Sequence, residues 1–330
     1  MIIKENFPLS SITTFQLGGP AKFYLRTSSA EETVSAILFA KEQKLKYVVI
    51  SGGSNVVFSD KGFAGLVIHF TDGKLNSENF EVLPPRGQSL RGSQRTVLGA
   101  NLNWHEVVKK IATLGLAGLE KMSAIPGNVG GLVVGNAGAY EQFIGDKVEW
   151  VEVFEGKLVR RLKKEECRFG YRDSIFKKKD WVILRVCLKL KKGNPELLTK
   201  EVREIAKMRW ARFGLHPTCA GSFFKNIEFK RAPKKVLAQI DKDKITEGKI
   251  SVGYLIGEAL GMSPEDSPLK ASQGESSSRH GIYIAPFHNN FLMNDGTGTT
   301  KDLLKMVAKI KQAVKKKFGI ELEEEVRYIL

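Results

Sequence analysis

The chain has 330 residues, 42% hydrophobic and 27% charged, with a formal net charge of +16. This composition excludes a disordered or fibrous chain, and the length allows a core that needs no disulfide staples. No apolar run approaches the roughly 18 residues of a membrane span, and the first residues lack a signal-peptide stretch, so a cytoplasmic protein with no membrane span is expected.

Ser29-Ala30-Glu31-Glu32 has a capping-box pattern and opens a helix to about Gln43, with Val34, Ile37 and Leu38 on one face. Lys46–Ile50 is a β-branched run that suits a buried strand. It enters the turn Ser51-Gly52-Gly53-Ser54-Asn55, and strands follow at Val56–Phe58 and Gly65–Ile68. Asn76–Arg95 is polar and reads as a loop or as irregular edge strands, and Trp104–Leu114 as a helix. Gly115–Tyr140 carries seven glycines, a density that argues against ordinary helices and strands. Strands are predicted at Glu149–Phe154 and Trp181–Leu188, and a helix at Pro195–Arg209. Pro233–Ile240 and Val252–Leu260 read as short helices, Pro264–Arg279 as a surface loop, and Ile282–Met293 as one or two strands. In Lys301–Lys317, Leu303, Met306, Ile310 and Val314 share one helical stripe, which leaves the lysines on a solvated face. Glu325–Ile329 alternates as a strand does. The three cysteines, Cys167, Cys187 and Cys219, have no metal-ligand spacing and read as reduced, buried thiols; no metal is expected.

Three glycine elements point to a ligand. Gly52-Gly53-Ser54-Asn55, Ile125-Pro126-Gly127-Asn128-Val129-Gly130-Gly131 and Asn136-Ala137-Gly138-Ala139-Tyr140 lie in loops where backbone N–H groups can approach phosphates closely. None is a dinucleotide G-x-G-x-x-G fingerprint or a P-loop. Alone, Arg172 reads as a surface ion-pair residue, Ser222 as a turn serine and Glu325 as a solvated carboxylate.

The order of the motifs changes those readings. Thr14-Phe15-Gln16-Leu17-Gly18-Gly19-Pro20-Ala21 precedes the three glycine elements. Gly170-Tyr171-Arg172-Asp173-Ser174, Ala220-Gly221-Ser222-Phe223-Phe224-Lys225-Asn226, His288, Asn290-Phe291 and Leu322-Glu323-Glu324-Glu325-Val326-Arg327 follow them. Nearly end to end, the chain resembles the UDP-N-acetylenolpyruvoylglucosamine reductases, flavoproteins with an FAD-binding domain of the vanillyl-alcohol-oxidase type.

The resemblance implies an α+β fold with a two-part FAD-binding domain and a C-terminal substrate-binding α+β domain. The expected parts are residues 1–70, 71–191 and 193–318, with 325–330 returning to the first. It implies one noncovalent FAD, NADPH as reductant, and a UDP-sugar enolpyruvyl ether reduced to UDP-N-acetylmuramate for peptidoglycan. Arg172, Ser222 and Glu325 would be catalytic. Gly52, Gly53, Ser54, Asn55, Ile125, Pro126, Gly127, Asn128, Gly130, Gly131, Asn136, Gly138, Ala139 and Tyr140 would hold the cofactor. Tyr171, Arg212, Asn226 and His288 would meet the substrate. A monomer with no obligatory nucleic-acid partner is expected. The rivals are another FAD-dependent oxidase on the same fold and a basic nucleic-acid-binding protein, the latter supported by charge alone. Arg212-Phe213-Gly214-Leu215-His216-Pro217 and Glu324 depart from the family pattern, and those changes bear on substrate contacts more than on redox chemistry.

Overall fold

The computed structural model describes residues 2–84, 93–215, 217–232, 237, 240, 244–246, 248–262 and 281–330. Most of the helix expected over Pro233–Ile240, and the loop expected over Pro264–Arg279, lie outside the described residues. The chain divides into two compact units of three segments each. One comprises Met1–Phe7, Ala21–Gly53 and Ala64–Leu215; the other comprises Pro8–Pro20, Ser54–Phe63 and His216–Leu330.

The first unit carries two main sheets. Ile3–Pro8, Pro20–Thr27, Phe63–Phe70 and Tyr47–Ile50 lie side by side in that order. The last two are parallel, with Tyr47 opposite Leu66 and Ile50 opposite His69. The helix Ala30–Glu42 leads into Tyr47–Ile50. It starts at Ser29, whose side chain accepts the Glu32 N–H. The Glu32 carboxylate reaches past the capping position to the Ser28 N–H, at 2.7 Å. The buried face is Thr33, Ala36, Ile37 and Ala40, packed with Leu25, Leu66 and Ile68. Leu38, expected on that face, is 48% exposed, because the buried face is centred on Ala36, Ile37 and Ala40 and Leu38 falls outside it. Burying Ile37 and Leu66 fully contributes about 1.5–3 kcal/mol each.

The second sheet runs Val159–Lys163, Val148–Phe154, Val182–Lys192, Ser93–Gly99, Phe80–Leu83, all antiparallel. Val186 lies between Val151 and Leu98, and all three are fully buried. The helix Trp104–Thr113 joins the same core through Val107, Val108 and Ile111. The helix Pro195–Phe213 runs four residues beyond its expected end and buries Leu198, Val202 and Ala206, one residue per turn. Its N-cap Asn194 accepts two backbone N–H groups.

Within the glycine-rich stretch, Val129–Val134 is a short helix, contrary to the expectation from its composition. Gly130 donates to the Ala100 carbonyl at 2.8 Å, and a Cβ there would stand 3.0 Å from the Ala100 Cβ. Close approach, rather than flexibility, accounts for that glycine.

In the second unit, Cys219–Ser222, Phe291–Asn294 and Ile282–Ile284 form an antiparallel sheet. Val56–Phe58 pairs in parallel with Arg327–Ile329. Phe15, Leu17, Val57, Phe223, Phe224, Leu255, Ile256, Leu303, Ile310 and Val314 form the core. The helix Thr300–Phe318 buries Leu303, Val307, Ile310, Val314 and Phe318 and exposes its lysines, as its stripe requires. Several of those lysines are paired within the unit: Lys311 with Glu324, Lys315 with Glu321 and Lys317 with Glu258. All three cysteines are buried and outside any disulfide, and burial pushes the Cys167 thiol up to about 12.

Candidate active site

In the first unit, two of the expected cofactor loops meet. A Cβ on Gly52 would lie 2.7 Å from the Gly127 Cα and 2.9 Å from the Asn128 nitrogen. Backbone therefore packs on backbone, with no room for a side chain. Asn128 donates to the Ser51 hydroxyl at 2.9 Å, and that hydroxyl donates to the Phe70 carbonyl at 2.6 Å. The second loop is stitched to residues 100–104 by Gly130 to Ala100, Val129 to Leu102 and Trp104 to Gly127. Gly131 is exposed, and a Cβ there would meet nothing within 4 Å.

Arg172 sits at the tip of a two-residue turn whose flanks, Gly170 and Asp173, exchange backbone hydrogen bonds. Its φ of 52° is left-handed, costing a residue with a Cβ about 1–2 kcal/mol. The surroundings hold it there. Asn136, 7% exposed, donates to the Gly170 carbonyl and accepts the Gly145 N–H. The Ser174 hydroxyl donates to the Val134 carbonyl at 2.6 Å. Arg172 itself donates to the Gly138 carbonyl at 3.1 Å. Its guanidinium carbon is 5.8 Å from the centre of the Tyr171 ring. Strain retained at a charged, half-buried side chain is a mark of a functional position.

The Gly138–Ala139 and Gln142–Phe143 strands form a hairpin closed by Tyr140 and Glu141. Both have positive φ, 50° and 62°. A turn of this kind favours Asn-Gly. Glu141→Gly is therefore expected to stabilise the protein by about 1 kcal/mol. A thermal melt with no upward shift would refute that expectation.

Arg209, the expected last residue of its helix, lies inside the longer helix Pro195–Phe213. Burial pulls this guanidinium below its ordinary range; Tyr140 opposes that shift, and the Arg172 and Arg212 cations add to it. Its Nε is buried without a hydrogen-bond partner among the described residues. Arg209 and Arg212 also flank the Phe213 ring, at 5.4 and 5.2 Å. Tyr140, Arg172, Arg209 and Arg212 thus form one electropositive cluster in which Arg212 is exposed. No sequence period announces it, because its members come from three separate stretches.

In the second unit, the two residues that follow Ser222 meet Glu325 and Glu324 through the backbone. The Glu325 N–H donates to the Phe223 carbonyl at 2.8 Å, and Phe224 bridges Glu324. Gly221, with φ of 74° and open space around it, interrupts the register between Cys219 and Ser222. Asn290, 1% exposed, clamps the next residues: its side chain exchanges bonds with both backbone groups of Phe224, and its carbonyl accepts the Phe223 N–H. Asn55 donates to the Glu325 carbonyl at 3.0 Å and accepts the Arg327 N–H. Asn55 and Ser54 belong to this unit, whereas Gly52 and Gly53 belong to the other, so the glycine turn lies at a unit boundary of the chain. Lys225, three residues after Ser222, is ion-paired with Glu323.

Asn226 and His288 converge on the start of the helix Val252–Leu260. Asn226 accepts the Val252 N–H at 3.1 Å. A Cβ on Gly253 would stand 2.9 Å from the His288 Cε1. His288 accepts the Asn290 N–H through Nδ1, which leaves Nε2 carrying the proton in the neutral ring.

Comparisons with known proteins place the chain in a family. Residues 21–160 match the model of the FAD binding domain, and residues 214–329 that of the UDP-N-acetylenolpyruvoylglucosamine reductase C-terminal domain. The reductase of that name from Solibacter usitatus is 34% identical over 331 residues, covering 100% of this chain and 97% of the relative. That from Lachnoclostridium phytofermentans is 32% identical, covering 98% and 92%. The crystal structure of the Thermus caldophilus reductase superposes with a TM-score of 0.68 at 27% identity, covering 100% and 98%. Carrying both domains in order and matching these relatives over its whole length, the chain belongs to the UDP-N-acetylenolpyruvoylglucosamine reductase family.

Proposed function

We propose that this chain is an NADPH-dependent flavoenzyme that reduces UDP-N-acetylglucosamine enolpyruvate to UDP-N-acetylmuramate, a peptidoglycan precursor. We further propose that it works as a cytoplasmic monomer. The observation that carries the reading is the backbone bond from Glu325 to Phe223, the residue after Ser222, in a segment held by Asn290 on one side and Asn55 on the other.

The glycine loops fit FAD. The bare contact of Gly52 with Gly127, and the open face at Gly131, leave backbone rather than side chains to meet a dinucleotide. Gly52, Gly53, Ile125–Gly131 and Asn136–Tyr140 would hold it. Bound FAD supplies a two-electron carrier between NADPH and C3 of the enolpyruvyl group. Residues 1–70 and 71–191 are proposed as the two FAD-binding parts and 193–318 as the substrate part.

The chain's own groups manage charge and proton. As hydride reaches C3, electron density moves onto the substrate carboxylate. The Arg172 guanidinium binds that group through paired N–H donors and favours the developing charge. Ser222 Oγ donates the proton that C2 takes up. Glu325, beside an enolate, acts as a protonated or hydrogen-bonded acid. Tyr171, Arg212, Asn226 and His288 contact the sugar nucleotide, and Arg209 reinforces Arg212 against its phosphates.

An anaerobic spectrum tests the reading. The flavin band of reconstituted protein is expected to bleach with NADPH and return on adding the enolpyruvyl ether. Bleaching without return would sink the substrate assignment, and no flavin band would sink the cofactor.

A further inference from the structure

Two half-buried histidines stand behind the glycine loops, and the proposed chemistry uses neither. His69 follows Ile68 on the strand Phe63–Phe70 and accepts, at Nδ1, the Tyr24 hydroxyl 2.8 Å away. Its Nε2 is 3.0 Å from the Ser51 carbonyl. A carbonyl only accepts, so Nε2 carries the proton and Tyr24 is the donor to Nδ1. The Tyr24 ring is fixed in turn by stacking on Phe7, with centroids 3.8 Å apart and planes within 11°. His69 therefore grips the residue that leads into Gly52.

His105 does the same for the second loop, with the polarity reversed. Its Nδ1 accepts the Ala124 N–H at 3.2 Å and lies 3.3 Å from the Ser123 hydroxyl. Ala124 has a φ of 55°, an unfavourable conformation for a residue with a Cβ. It leads directly into Ile125-Pro126-Gly127. The His105 ring is held edge-on by Trp210, with centroids 5.2 Å apart.

We infer that His69 and His105 are positioning residues for the flavin, each holding the entry residue of one glycine loop so that Gly52 and Gly127 keep their backbone contact. The inference rests on the FAD reading given above. Three observations support it beyond the hydrogen bonds. The two gripped residues precede loops that touch each other at a distance no side chain tolerates. One of them is in a strained conformation that needs a restraint. Burial also keeps both rings neutral: it drives His69 down to about 4, partly offset by its bond to Ser51 and reinforced by Arg26. It lowers His105 likewise, with Glu106 opposing and Lys109 adding to the shift. A neutral ring is what each bond requires, since His105 Nδ1 must be bare to accept and His69 Nδ1 must be bare to receive Tyr24.

The test compares two kinds of variant by FAD titration, following flavin fluorescence and the visible circular dichroism of the bound flavin, with the melting point of the apoprotein as control. His69→Leu and His105→Leu remove the grip. His69→Gln restores an amide N–H for the Ser51 carbonyl, and His105→Asn restores an acceptor for the Ala124 N–H. Each leucine variant is expected to weaken FAD about tenfold and alter the flavin dichroism. The glutamine and asparagine variants are expected to recover most of both. Wild-type affinity in the leucine variants would overturn the inference. So would a loss not rescued by the amides that tracks the fall in apoprotein melting point, because that is the behaviour of plain packing residues. If the leucine proteins do not fold, the amide variants decide alone: FAD binding within about threefold of wild type supports the grip, and a tenfold loss overturns it. Failure of wild-type protein to bind FAD would instead refute the cofactor reading.

Discussion

Ser222→Ala is expected to lower turnover by about 10²–10⁴-fold, the range typical of losing a positioned general acid. Its diagnostic feature is where the loss falls. Reduction of the flavin by NADPH is expected to continue at the wild-type rate, while reoxidation by the enolpyruvyl ether becomes slow. Stopped-flow absorbance separates the two halves. The substitution removes one oxygen and leaves the backbone that places residue 222 intact. The Phe223 bonds to Asn290 and Glu325, and the Phe224 bonds to the Asn290 side chain, are all untouched. A folding defect is therefore not expected, and unchanged circular dichroism would exclude it. If reoxidation kept its wild-type rate, the proton would have to come from another group. Glu325 would then be the next to test, since its N–H bonds to the residue after Ser222.

Gly52→Ala is expected to weaken FAD binding by up to about 100-fold. The added methyl would stand 2.7 Å from the Gly127 Cα and 2.9 Å from the Asn128 nitrogen. These are backbone atoms and cannot rotate away, so the loops must part. Overpacking of this kind costs about 1–3 kcal/mol, which reads as one to two decades in affinity. Gly131→Ala is the control. Its methyl meets nothing within 4 Å, so the apoprotein should be as stable as wild type or slightly more so. A fall in FAD affinity in Gly131→Ala without a fall in melting point would set the cofactor against that glycine. Wild-type affinity in Gly52→Ala would mean that the two loops do not share the ligand.

The parts of the fold legible in the sequence are those where one element's own pattern decides its burial. Tyr47–Ile50, through its β-branched run, and Thr300–Phe318, through its apolar stripe, are examples. The strand Pro20–Thr27 was not legible: a proline begins it and charged residues alternate with buried Ala21, Tyr24 and Leu25, a pattern that gains meaning only from its sheet neighbours. The helix Val129–Val134 is hidden for a related reason, because Gly130 answers to Ala100 and not to local propensity. The candidate site divides the same way. Glycine loops announce themselves by composition. The left-handed turn under Arg172, the arginine cluster and the two gripping histidines depend on partners tens of residues away. Glu325 is the extreme case: its carbonyl is held by Asn55, 270 positions earlier, and no window of sequence contains both. The family resemblance supplied what local physics did not.

The second unit takes in two short stretches from early in the chain, Pro8–Pro20 and Ser54–Phe63, besides the long C-terminal segment. Phe15, Leu17 and Val57 belong to its core, and Val56–Phe58 is the strand beside Arg327–Ile329. A chimera made by one crossover near residue 214 would thus graft a foreign segment onto resident core residues it never evolved with. Exchange between relatives would have to carry all three stretches together. Shuffling a C-terminal module with a new substrate preference into this chain is therefore a multi-seam event, and altered specificity is more easily reached by point substitution within the unit.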